Sequence, residues 1–156
     1  MVFALLGEKS MKKVLFLFLA VGLAIVVNGQ IRKIPASVTE AFKEKYPHAS
    51  KVEWKDKVTS FAATFDEDGK EYEARFNSKG EWQETEEQIS EEEIPETVKD
   101  GLEKSKYSEW EIKKVRRIEM PGEVVQFKVQ VEKSDIQKKN LLFSSDGKLL
   151  KDNITI

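Results

Sequence analysis

The residue best suited to proton transfer near neutral pH is the single histidine, His48. A Ser-His-Asp arrangement would need a serine presented for attack, and the chain contains no Gly-x-Ser-x-Gly turn to present one. His48 follows Pro47 just past an expected helix end, where a surface or capping role is the expectation. With no cysteine, thiol nucleophiles and thiolate metal sites are excluded. Asp66-Glu67-Asp68-Gly69 has the outline of a calcium loop. Placing Gly69 at the loop's invariant glycine puts Thr64 at the first ligand position and Arg75 where the bidentate glutamate belongs, so both ends fail. A hairpin turn at Asp68-Gly69 accounts for the same residues. No metal and no cofactor is expected. Carboxylates abound, yet nothing singles out a pair for glycoside hydrolysis. A carboxylate-based hydrolase stays as the remotest alternative and would need a deep pocket with two acids of raised pKa.

The absence of cysteine also removes a lipid-attachment residue and any disulfide framework, so the core must hold the fold unaided. Met11-Lys12-Lys13, the apolar run from Val14 to Val27 and the exit Asn28-Gly29-Gln30 make a basic, apolar and small-residue leader. The run is shorter than the roughly 20 residues needed to span a bilayer as a helix. Residues 1–29 are therefore read as a signal peptide, with the mature start at Gln30 and Met11 as the initiator; an uncleaved anchor is the alternative. Export without disulfides suits a periplasmic or secreted protein, in contact with membrane only through its leader before cleavage. Residues 31–93 carry 10 basic and 16 acidic side chains, and residues 94–156 carry 13 and 11. Nucleic-acid binding, which wants a concentrated basic face, is not expected. An electrostatically steered protein or peptide partner remains compatible.

The elements that would carry such a partner occur twice. Ile34-Pro35-Ala36-Ser37-Val38 is answered by Ile94-Pro95-Glu96-Thr97-Val98, and Phe76…Gly80 by Phe143…Gly147. Pro35 opens a helix with Val38, Ala41, Phe42 and Tyr46 on one stripe, and Pro47 closes it. Val52, Trp54 and Val58 mark a first strand, Phe61 to Phe65 a second, Tyr72 to Phe76 a third, and Trp82 a short fourth. Glu84–Glu93, with six glutamates, reads as a solvated linker. Pro95 opens a second helix, which Gly101 should weaken by about 1 kcal/mol. Ile112–Met120, Val125–Val131, Ile136–Phe143 and a strand from Leu149 follow. The expected fold class is α+β: two tandem α-β-β-β-β repeats, residues 30–89 and 90–156, forming antiparallel sheet with helices packed on one face.

Ile34-Pro35 with Val38 and Phe42, Lys45-Tyr46-Pro47-His48-Ala49, Val52-Glu53-Trp54, Asp68-Gly69-Lys70 with Tyr72-Glu73-Ala74, and the Phe76…Gly80 turn together resemble the PepSY-like proteins. These are also described as beta-lactamase-inhibitor-like and occur in the periplasm of Bacteroidetes-type bacteria. The resemblance spans nearly the whole mature chain and is weaker in the second half, where Lys106-Tyr107-Ser108-Glu109 lacks the proline. It implies a sheet with helices on one face, whose open concave face grips a partner. The disulfides of the inhibitor proteins have no counterpart here, and no inhibitory contact residue carries over, so beta-lactamase inhibition is not inferred.

The function expected is a non-enzymatic binding or inhibitor-like module that uses the polar face of its sheet. Period-two alternation puts Glu53, Lys55, Thr64, Glu73 and Arg75 of the first half, with Gln126, Lys128 and Gln130 of the second, opposite the apolar set. The same residues could serve only as a solvent-facing surface. Trp54 and Trp82 lie in register with apolar neighbours and should pack in the core, whereas Trp110, between Glu109 and Glu111, is either a contact residue or edge packing. A small-ligand carrier, with an apolar cavity between helix and sheet, is the main alternative.

Overall fold

A proline ahead of each helix, in extended geometry, sets the entry of both helices: Pro35 before α1 (Ala36–Lys45) and Pro95 before α2 (Glu96–Glu103). The computed structural model describes residues 32–154. The leader and the Gly29–Gln30 junction lie outside the described residues. After α1 come β1 (Ser50–Lys57), β2 (Ser60–Glu67), β3 (Lys70–Asn77) and β4 (Trp82–Ile89). A 3-10 turn at Glu91–Glu93, α2, β5 (Glu111–Met120), β6 (Val124–Ser134), β7 (Gln137–Ser144) and β8 (Leu149–Ile154) complete the order. All eight strands form one antiparallel sheet in sequence order. The fold is α+β, with the helices packed against the sheet.

The expectation of a short fourth strand and a linker is corrected here. Residues 84–89 belong to β4, which pairs with β3 on one side and with β5 on the other. The charge of this run had suggested solvation, but its alternation is that of a strand: Thr85 and Ile89 are buried toward the helices. Only Ser90–Glu93 turns, closed by a capping box in which the Ser90 amide donates to Glu93 at 2.8 Å. Two strand limits also move. Val58, 93% exposed, sits in the β1–β2 turn, and Ile136, 92% exposed, in the β6–β7 turn. The Asp68-Gly69 hairpin has both central residues at positive φ, 50° and 78°, as a type I′ turn requires.

Register places both helices on one face. Phe65 lies beside Tyr72, Tyr72 beside Glu87, Glu87 beside Arg117, Arg117 beside Phe127 and Phe127 beside Phe143. The apolar residues of this face fall into two clusters. Val38 and Phe42 of α1 bury against Phe61, Phe65, Ala74 and Phe76, while Val98 and Leu102 of α2 bury against Val129, Leu141 and Phe143. Of the expected core, Tyr46, Trp54, Tyr72 and Val125 are half-buried, and Tyr107, Ile94, Val115 and Leu141 join it. Between the clusters the face is polar, with Glu87 held by Lys70.

Each helix is tied to its strands by matching contacts. The Tyr46 hydroxyl bonds Thr85 at the middle of β4, and burial pushes its pKa up to about 12. The Tyr107 hydroxyl donates to Asp152 of β8 at 2.5 Å. At the other end, Ser37 Oγ donates to the Ser78 carbonyl at 3.5 Å, and Thr97 Oγ1 to the Ser145 carbonyl at 2.7 Å. The approach is closest at α2, where a Cβ on Gly101 would overlap the Gly147 carbonyl and one on Gly147 would overlap that of Thr97. Gly101 is thus a packing residue, not merely a weak helix position. Gly101→Ala should destabilise by about 1–3 kcal/mol in urea unfolding, because the colliding atom is backbone and cannot swing away. A gain of about 1 kcal/mol, as propensity alone dictates, would refute the close approach. Phe127→Ala, removing a ring 4% exposed, should cost about 3–5 kcal/mol in the same assay.

Candidate binding face

The helix-free face of the sheet can be read across the strands. One row runs Glu53, Thr64, Glu73, Glu86, Ile118, Gln126 and Ser144. On one side of it lies Lys55, Ala62, Arg75 and Glu84, and on the other Gln88, Arg116, Lys128, Leu142 and Lys151. Gln130 lies one row further, beside Lys114 and Asn140. The structure therefore places Glu53, Lys55, Thr64, Glu73, Arg75, Gln126, Lys128 and Gln130 on one surface. Glu53, Lys55, Thr64 and Glu73 line a shallow depression of about 270 Å³, with Glu86 and Arg116 at its other wall.

Sequence reading missed Glu84, Glu86 and Arg116, which sit at the middle of that surface. Period-two alternation from Trp82, which faces α1, would have put Glu84 and Glu86 on the helix side; a register shift between Trp82 and Glu84 turns them to the open face. In β5 the apolar residues Ile112, Val115 and Ile118 recur every third residue, which no single strand face satisfies. A register shift between Ile112 and Lys114 resolves this, and Ile118 ends up buried on the helix-free face at 4% exposure.

Glu86 governs the electrostatics. It is 5% exposed and accepts from Arg116 at 2.9 Å and from Lys128 at 2.5 Å. Burial pushes its carboxyl up, but the hydrogen bonds and charge of Lys128 and then Arg116 outweigh it and hold the pKa below the ordinary value. Arg75 forms an ion pair with Glu84 at 2.8 Å and approaches Glu73 at 3.7 Å, while its Nε is buried with no partner among the described residues. Charge is sorted across this face. Strands β1–β4 place Glu53, Asp66, Glu71, Glu73, Glu84 and Glu86 there against Lys55, Lys57 and Arg75. Strands β5–β8 place Lys114, Arg116, Lys128, Lys138 and Lys151 there against Glu111 and Glu132.

Trp110 does not join this surface. It packs edge-on against Tyr107, with ring centroids 5.2 Å apart, and borders the second core cluster. With Ile94, Val98, Leu102 and Ile112 it lines a groove of about 480 Å³ on the flank of α2. The groove is walled by Val98, Lys99, Leu102 and Glu103 of α2 and by Ile112 and Val129 of the sheet. His48 is exposed in the turn after α1. The carboxyls that shift, including Glu86, Asp56, Asp146 and Asp152, all move down, the reverse of what a general acid needs. Among the described residues, no group of three or more histidine or acidic side chains is placed to hold a metal ion.

Because its folded pKa is depressed, the ionised Glu86 contributes stability above its unfolded value of 4.5, and this is lost as pH falls through the folded pKa. Glu86→Gln should cost roughly 1.5–3 kcal/mol at neutral pH, where two cations lose their shared acceptor. The gap between variant and parent should narrow below the unfolded value; urea unfolding as a function of pH measures it. A gap that is constant with pH would mean that Glu86 acts only through packing.

Comparison with known proteins places this geometry. The sequence matches no curated protein. Among solved structures, a BLIP-like protein from Bacteroides fragilis is 29% identical, with a TM-score of 0.68, covering 79% of this chain and 87% of that one. A DUF2874 family protein from Bacteroides ovatus is 26% identical, with a TM-score of 0.71 and coverage of 78% and 88%. A chain described as one of the "putative periplasmic proteins" of Bacteroides eggerthii shares the fold at 24% identity, with a TM-score of 0.72 and coverage of 78% and 89%. No helix among the described residues is long and apolar enough to cross a membrane. The family model described as "Putative beta-lactamase-inhibitor-like, PepSY-like" matches residues 59–151, from the β1–β2 turn into β8. The chain belongs to this PepSY-like, beta-lactamase-inhibitor-like family.

Proposed function

We propose that this protein is an exported, non-enzymatic binding module whose helix-free sheet face grips a protein or peptide partner. The observation that carries the reading is the face itself. Eight strands wide, it has no helix over it among the described residues and displays mainly acids on one half and mainly bases on the other. Such a surface suits electrostatic recognition of an extended partner, and the inhibitor-like family points the same way. Export to the periplasm is supported by the leader sequence and by the description of the Bacteroides eggerthii neighbour. Residues 30–89 and 90–156 are read as copies of one unit, supported by the matching Tyr46–Thr85 and Tyr107–Asp152 ties. The groove beside α2 supports a second reading, a carrier of a small apolar ligand held against Trp110 and Ile112.

The test is capture from periplasmic extract by the tagged chain from Gln30 onward. Glu53 and Lys55 are the residues to change: both are exposed, and neither makes an ion pair among the described residues. Arg75 and Lys128 are poorer choices, since reversing them would set like charges against Glu84 and the buried Glu86. A partner that binds the sheet should be lost with Glu53→Ala plus Lys55→Ala and retained with Trp110→Ala. The opposite result would move binding to the groove.

A further inference from the structure

The seam between β4 and β5 is a pattern for an edge that the sheet leaves open. Phe61 faces Asp56 on one side and Phe76 on the other, as Phe127 faces Arg117 and Phe143. Asp56 of β1 therefore corresponds to Arg117 of β5, and Trp54 to Val115. β5 carries β4 along its outer edge, with Glu87 opposite Arg117 and Ile89 opposite Val115. β1 pairs with β2 alone among the described residues. Burial registers the missing neighbour. Val115 and Ile94 are buried in the second core cluster, whereas their counterparts Trp54 and Ile34 are only half-buried against the first. A bulge does not close this edge. Both strands shift register near their start, at Ser50–Glu53 and at Ile112–Lys114, and β4 pairs with β5 beyond the shift.

The strand that corresponds to β4 is β8. Tyr107 ties Asp152 as Tyr46 ties Thr85, and Ile156 follows Asp152 at the spacing by which Ile89 follows Thr85. β8 pairs with β7 alone among the described residues, so its outer edge is open where that of β4 is taken. We infer that β8 of a second copy adds antiparallel to the outer edge of β1, in the register that β4 takes on β5. The inference rests on the reading above that residues 30–89 and 90–156 are copies of one unit. That register sets Asn153 of one copy opposite Lys57 of the other, and Ile154 opposite Asp56, so no like charges face each other. The backbone N–H and C=O groups of both edges gain partners, as in any strand addition. Because the contact joins two different edges it is head-to-tail. Each pair of molecules keeps one open β1 and one open β8, from which longer chains grow.

Disulfide trapping in the chain from Gln30 onward tests this, because the chain has no cysteine of its own. Lys57 is exposed in β1, and Asn153 of β8 shares a row of the open face with Gln130 and Asn140. A mixture of the single variants Lys57→Cys and Asn153→Cys should cross-link under mild oxidation. Its rate should be about tenfold above that of Lys57→Cys mixed with Lys151→Cys, whose thiol sits on the same face but roughly 7 Å further along the strand. Circular dichroism of each reduced variant should match the parent. A chain carrying both Lys57→Cys and Asn153→Cys should give a ladder of covalent oligomers, since within one copy β1 and β8 are the opposite margins of the sheet. Equal rates for the two mixtures, or no ladder from the folded double variant, would overturn the inference. Faster cross-linking to Lys151→Cys would show the edges meeting out of the register of the seam, and would overturn the copy reading with it. No cross-linking by a chain that still captures a periplasmic protein through Glu53 and Lys55 would overturn strand addition alone and leave binding by the open face standing.

Discussion

A glutamate can sit almost wholly buried on an open sheet face only if cations come to it, and at Glu86 two of them do. Arg116 reaches it from β5 and Lys128 from β6, so the carboxylate of the last strand of the first half is satisfied entirely by the second half. Removing water from a carboxylate is expensive, and that cost is offset only in the register the structure shows. The ion triad thereby ties the β4–β5 seam, which joins four strands to four strands in one sheet. Without the seam, β4 and β5 would each present an unpaired edge.

The two faces of that sheet do different work. On the helix side, α1 and α2 each cover their own cluster of aromatic and branched residues, with a polar strip around Glu87 between them. The close fit of α2 onto the β7–β8 turn, at Gly101 and Gly147, leaves little freedom to shift the helix. On the helix-free face Ile118 and Ala62 are also buried, at 4% and 1% exposure.

Family membership points to an inhibitor-like binding module. The chain belongs to an inhibitor-like family, and its shifted carboxyls are all stabilised as anions by cations and hydrogen-bond donors.

Several features were legible in the amino-acid order because they are local. Pro35 and Pro95 mark the helix entries, Asp68-Gly69 the hairpin, and alternation from Tyr72 to Phe76 and from Val125 to Val131 the strand faces. Those periodicities placed all eight polar residues assigned to the open face correctly, since a strand's side chains can only alternate. The glutamate run from Glu84 was misread because its charge is a local property, whereas its neutralisation comes from Arg116 and Lys128, 30 and 42 residues beyond Glu86. For Trp110 the sequence left partner contact and edge packing both open, and only the turn after α2, which sets Tyr107 against it, decided for packing. Backbone period and turn chemistry act over a few residues, and the sequence by itself determined what depends on them. Strand register, ion pairing across the seam and the meeting of Gly101 with Gly147 depend on contacts between distant segments, which only the tertiary structure decided.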